Sequence, residues 1–144
     1  MRAIQMFKTI LHADDGSEGA EKALILALGL AKQTGAKLHI VCVEEISEFP
    51  ETIGEVKNEK RIADRRYRAL LRRAEAQAEK EGVKVETHLL TGHPVRDIIM
   101  LAGELGADLL VIGATGHSTF YERLIGSRAG RLVDLAPCPV LVAK

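Results

Sequence analysis

The sequence predicts an α/β fold, a three-layer sandwich with helices on both faces of a parallel sheet. Three observations carry that expectation. Five short apolar runs alternate with four stretches whose apolar residues recur at helical spacing, the pattern of strands joined by crossover helices. The run KLHIVCV is apolar on nearly every residue, as a strand covered on both faces must be. At 144 residues the chain has the size of one domain, so a single fold over residues 1–144 is expected to carry the whole function.

The elements follow in chain order. Phe7 to Ala13 reads as the first strand, ended by the turn-forming cluster Asp14-Asp15-Gly16-Ser17. From Ser17 to Thr34, Ala20, Ala23, Leu24, Ala27, Leu28 and Ala31 form one helical face. Ser17 can cap that helix, Glu18 and Glu21 suit the positive end of its dipole, and Gly35 provides the exit. Lys37 to Val43 is the second strand and Val83 to Leu90 the third, followed by a helix from Pro94 that ends at Gly106. Ala107 to Gly113 is the fourth strand, Ser127 to Leu135 the last helix, and Pro139 to Ala143 the closing strand.

Between the second and third strands, Glu44 to Glu81 holds 10 acidic and 9 basic residues. Its first third reads as an acidic surface loop. From about Asn58 it becomes a helix that turns Tyr67, Leu70, Leu71, Ala74 and Ala78 to the sheet. Arg61, Arg65, Arg68 and Arg72 then form a stripe that reads as a solvated face, with phosphate or an acidic partner as the alternative. By contrast, Leu105 to Gly116 carries one charge, Asp108, so the loop that follows the fourth strand is expected to form a nearly neutral pocket.

Lys plus Arg equals Asp plus Glu at 20 each, and only five residues are aromatic. A nucleic-acid binder needs a basic excess, and a single-strand binder adds stacking platforms, so neither kind of nucleic acid is an expected partner. No apolar run approaches the 18 or so residues of a membrane span, and the N-terminus lacks a secretory pattern, so a cytoplasmic protein with no membrane contact is expected. Cys42 and Cys138 lie in or beside strand-like runs and read as buried free thiols.

Ligands of open α/β sheets bind beyond the carboxyl ends of the strands. Of the four segments there, Gly113-Ala114-Thr115-Gly116-His117 is the most informative. Its glycines let backbone approach a ligand, and Gly126-Ser127 opens a helix nine residues further on. Backbone N–H groups, a helix N-terminus and the Ser127 hydroxyl together suit phosphate oxygens, while a tight turn alone would also account for the glycines. A Walker loop is excluded because no Gly-Lys pair exists. A dinucleotide fingerprint finds only Gly16-Ser17-Glu18-Gly19 in the first turn, although Glu44 could imitate its ribose-binding acid.

GATGHSTFYERLIGS fits a G-x2-G-x9-G-[ST] signature through Gly113, Gly116, Gly126 and Ser127. With the opening ILHADDGSEGAEKAL and the ending CPVLVAK, the chain resembles the universal stress proteins over nearly its whole length, and specifically their ATP-binding subgroup. The resemblance implies a Rossmann-like five-stranded parallel sheet in the order 3-2-1-4-5. It implies ATP, or AMP or ADP, as ligand, with Ala13 and Asp15 lining the nucleoside and Val43 meeting adenine. Gly113, Thr115, Gly116, His117, Ser118, Thr119, Gly126, Ser127 and Arg128 would hold the phosphates, and Mg2+ would be held through those phosphates rather than by a carboxylate cage.

Two positions depart from the family pattern. His12 stands where the first strand commonly has an aliphatic residue. His117 stands where Lys or Arg is common, which weakens the charge offered to a triphosphate. His12, His39 and His88 are spread over separate strands and read as core or solvent-satisfied histidines, with no metal site expected. No residue reads as catalytic: Ser118, Thr119 and Ser127 read as phosphate-binding hydroxyls without a dedicated base.

The leading expectation is therefore a stress-response or signalling module whose nucleotide tunes a homodimer, paired through the last strand as the resemblance implies, or the surface shown to an unknown protein partner. A slow ATPase or autophosphorylating phosphotransferase is the alternative, and a nucleotide-independent dimeric adaptor a further one.

Overall fold

The computed structural model describes residues 4–45, 53–115 and 125–144. Among the described residues nine elements alternate: β1 (Thr9–Ala13), α1 (Glu18–Thr34), β2 (Lys37–Glu45), α2 (Ile53–Lys80), β3 (Val85–Gly92), α3 (Pro94–Leu105), β4 (Leu109–Gly113), α4 (Ser127–Leu135) and β5 (Val140–Ala143). The five strands form one sheet in the order β3-β2-β1-β4-β5, and every pairing is parallel. The order reverses between β1 and β4, where the chain leaves one half of the sheet for the other.

Alternation along each strand divides the core in two. Ile10, Leu38, Ile40, Cys42, Leu109 and Val111 pack under α1 and α2, while Leu11, Val41, Val43, Leu110 and Ile112 pack under α3 and α4. Because both faces of β1, β2 and β4 are covered, their runs must be apolar on successive residues rather than on every second one. The apolar stripe of α1 is buried as its spacing predicts, from Ala20 to Ala31.

The helix ends obey local chemistry. Ser17 is the N-cap of α1, its Oγ accepting from the Ala20 N–H at 3.1 Å, and Gly35 closes the helix with φ +72°. At α3, Pro94 needs no N–H partner in the first turn, and Asp97 reaches back so that its Oδ2 accepts the His93 N–H at 3.0 Å. Gly106, at φ +63°, ends that helix.

Several expected boundaries shift by two residues, each for an identifiable reason. β1 starts at Thr9 rather than Phe7, because the Lys8 and Thr9 N–H groups donate to the Asp108 carboxylate at 2.8 and 3.2 Å. The lone charge of that stretch therefore ties the start of β1 to the start of β4. Val83 is taken up in closing α2, its N–H bonded to the Ala78 carbonyl, so β3 begins at Val85. β2 continues through Glu45 because β3 pairs with it as far as Gly92.

The expected acidic loop is corrected at both ends. Glu44 and Glu45 belong to β2, and α2 begins at Ile53 rather than near Asn58, since no proline follows Pro50 in that stretch and the single Gly54, in the first turn, costs at most about 1 kcal/mol. Residues 46–52 between them lie outside the described residues. Leu71, Ala74 and Ala78 are buried against the sheet, and Arg61, Arg65, Arg68 and Arg72 are exposed, as a solvated stripe should be. Both cysteines are free thiols; Cys42 is buried, whereas Cys138 is only half-buried beside the edge strand. Among the described residues no helix is long and apolar enough to cross a membrane.

Candidate nucleotide site

At the carboxyl ends of β1, β2 and β4, beside the reversal of strand order, the structure has a cavity of about 360 Å³. Parallel strands bring their C-terminal loops to one edge of the sheet, so residues far apart in sequence meet there. Val41, Val43, Ile98 and Ile112 provide apolar wall, and Thr115, Gly126, Ser127 and Arg128 a polar one. Eight of the residues expected at a nucleotide site, Ala13, Asp15, Val43, Gly113, Thr115, Gly126, Ser127 and Arg128, line this one cavity. The other four, Gly116, His117, Ser118 and Thr119, lie outside the described residues.

The turn between β1 and α1 is built by its own carboxylates. Asp14 Oδ1 accepts the Gly16 N–H and Asp15 Oδ1 accepts the Ser17 N–H, both at 2.9 Å, and Gly16 takes φ +79°. One oxygen of Asp15 is thus committed to the backbone. Beneath the turn, His12 is fully buried. Its Nδ1 lies 3.0 Å from the Val111 carbonyl, which can only accept, so Nδ1 carries the proton. Its Nε2 lies 3.8 Å from Asp14 Oδ2. Burial works against the charged form of Asp14, but His12, the Gly16 N–H and Arg73 outweigh it and hold the carboxyl below its ordinary value.

At the other wall, Gly126 is the N-cap of α4; its backbone is extended (φ −60°, ψ 156°) and it supplies no side-chain cap. The first N–H groups of that helix therefore need another acceptor. The Gly126 N–H itself donates to the Ala114 carbonyl at 2.8 Å, which fastens the helix start to the loop after β4. Arg128 Nη2 and Glu45 Oε1 pair at 3.3 Å across the cavity rim.

Two expectations change here. Gly113 was expected to open its Cα to a ligand, but a Cβ there would lie 2.5 Å from the Gly19 carbonyl carbon and 2.9 Å from the Ala20 nitrogen. A Cβ on Gly19 would in turn lie 2.5 Å from the Thr115 carbonyl oxygen. This glycine pair lets the first turn of α1 cross the end of β4, so it is demanded by packing of the cavity's walls. The nearly neutral pocket is also corrected. Asp14, Asp15 and Glu45 arrive from β1 and β2, and among the described lining residues only Arg128 is cationic. Tyr67, whose helical spacing with Leu70 and Leu71 predicts only a residue facing the sheet, also lines the cavity, and burial raises its hydroxyl above the ordinary value.

The universal stress protein family model matches residues 6–144. The chain belongs to the universal stress protein family. Relatives include a universal stress protein of Thermus aquaticus, 37% identical over 139 residues with 96% of this chain and all of the relative covered, and one of Bacillus subtilis, 34% identical over 151 residues with the same coverage. A universal stress protein from Lactobacillus plantarum superposes with a TM-score of 0.86 at 25% identity, covering 95% of this chain and 97% of its own. Two further members were solved with nucleotides. One, in complex with cAMP, has a TM-score of 0.73 at 28% identity, covering 96% of this chain and 98% of its own. The other, from Archaeoglobus fulgidus in complex with dAMP, has a TM-score of 0.68 at 28% identity, covering 96% and 99%.

Proposed function

We propose that this universal stress protein is an adenine-nucleotide-binding module, of the ATP-binding kind, acting in a stress response or in signalling. The observation that carries the reading is the cavity itself. The eight expected residues, drawn from four separate segments of the chain, line one pocket at the reversal of strand order. Its volume lies inside the roughly 300–1,000 Å³ range of small-molecule sites. The cAMP and dAMP complexes of two structural neighbours are consistent with an adenine ligand.

In this reading Val41, Val43 and Ile112 enclose the base, and the carboxylate of Asp15 faces the nucleoside. Ser127, Arg128 and the first N–H groups of α4 receive phosphate, with the helix dipole favouring negative charge there. Arg128 already faces Glu45, so phosphate would compete with that carboxylate for the guanidinium. Magnesium would enter only through the phosphates, where it would offset the carboxylates on the opposite wall. The nucleotide-bound protein would act through a homodimer paired along β5, or through a protein partner.

The test is to denature the purified protein and identify any nucleotide released, comparing wild type with Gly126→Asp. An aspartate at this position can cap α4, so the fold is expected to hold while its charge repels phosphate. Wild type is expected to release an adenine nucleotide that the variant has lost. Equal nucleotide content in the two would refute the assigned phosphate position.

A further inference from the structure

The histidines read as spread over separate strands include two that the sheet brings together. β2 and β3 are neighbours, with His39 registered opposite Glu86 and Val41 opposite His88. Side chains alternate along a strand, so His39, Glu86 and His88 stand on the same face, the one covered by α3 and α4. His39 Nδ1 lies 2.9 Å from His88 Nε2 and 3.9 Å from Glu86 Oε2, and the three donor atoms all fall within 4.8 Å of one another. The rings are stacked, with centroids 5.2 Å apart and planes inclined at 27°.

We propose that His39, Glu86 and His88 form a binding site for a single zinc-type transition-metal ion, separate from the nucleotide cavity. Zinc bonds nitrogen and oxygen donors at about 2.0–2.2 Å, which sets tetrahedral donors roughly 3.4 Å apart, between the two separations seen here. Small rotations of the two half-exposed side chains would seat the ion. His39, only 4% exposed, supplies the rigid anchor. Two imidazoles and one carboxylate favour zinc, nickel or copper over magnesium or calcium, which prefer all-oxygen sets. Three protein donors leave a fourth position for water, which the outward side of the cluster can supply.

The surroundings fit a cation exchanged for local contacts. Lys37 Nζ holds Glu86 Oε2 at 2.8 Å from the solvent side, and the ion would displace it. In the absence of metal the two imidazoles share one hydrogen bond, in which one contact nitrogen must carry the proton. Coordination moves that proton to the outer nitrogen of the same ring, so both rings ligate as neutral groups. His39 is four residues before Val43, about 13 Å along the strand, and none of the three ligands lines the nucleotide cavity.

The test titrates zinc into the chelator-treated full chain by calorimetry, with cobalt as a spectroscopic substitute. One ion per chain with micromolar or tighter affinity is expected, together with the visible absorption of a low-coordinate cobalt site. Glu86→Gln and His88→Ala should each weaken binding at least tenfold, whereas His93→Ala, an exposed histidine outside the cluster, should leave it unchanged. Glu86 is half-exposed, so its variant keeps the test decisive even if a histidine substitution disturbs the fold. Absence of zinc binding, or affinity indifferent to Glu86→Gln and His88→Ala, overturns the proposal.

Discussion

Glu44, the last buried residue of β2, has its side chain on the α2 face. Burial, with the Asp64 carboxyl nearby, pushes its own carboxyl up to about 7 from an ordinary value of 4.5. A group whose folded value is raised favours the protonated native state. Its contribution is therefore full below about pH 4.5 and is lost as the pH rises toward 7. Glu44→Gln, which keeps the shape without the charge, is expected to stabilise the protein by roughly 1–2 kcal/mol at pH 8 and to change little at pH 4.5. Denaturant melts at the two pH values measure the difference. Gly113 gives a second prediction at this scale. Gly113→Ala forces a methyl group into the α1 backbone, and a loss of about 1–3 kcal/mol is expected in the same melts.

At the scale of elements, α1 supports the site, because its first turn forms one cavity wall and rests on the end of β4. The Ser17 hydroxyl caps that turn and lies 3.5 Å from the Thr115 carbonyl. Ser17→Ala is expected to lower unfolding free energy by about 1 kcal/mol, measured by chemical denaturation. Helices and strands were legible in the sequence wherever a local signal existed. The 3.6-residue stripe of α1, with Ser17 and Gly35 at its ends, and Pro94 and Gly106 around α3 fall where spacing and capping chemistry put them, and α4 starts at Ser127 as its spacing predicts. What was not legible came from tertiary pairing. The Asp108 carboxylate shortens β1, and β3 lengthens β2, through contacts between residues far apart in the chain. The meeting of His39 with His88, 49 residues apart, and the arrival of Asp14 and Glu45 at the glycine loop are likewise properties of the sheet order.

Across the whole molecule, sheet order decides where chemistry can collect. The reversal between β1 and β4 places the cavity at the centre of the sheet, away from both outer strands. β3, at one edge, carries Glu86 and His88. β5, at the other, pairs only with β4 among the described strands and leaves Val140, Leu141 and Val142 partly exposed. An apolar edge of that kind invites a partner strand. Sedimentation equilibrium is expected to give twice the chain mass at micromolar concentration; a monomer there would rule out the paired edge.

The cavity walled by the ends of β1, β2 and β4 and the start of α4 is proposed to bind an adenine nucleotide. Backbone amide spectra recorded during titration with ATP or AMP test it most directly. Shifts are expected at Ala13–Ser17, Val41–Glu45, Gly113–Thr119 and Gly126–Ala129, with β3 and the C-terminal turns of α1 unmoved. No perturbation at saturating nucleotide, or shifts centred on another part of the sheet, would contradict it.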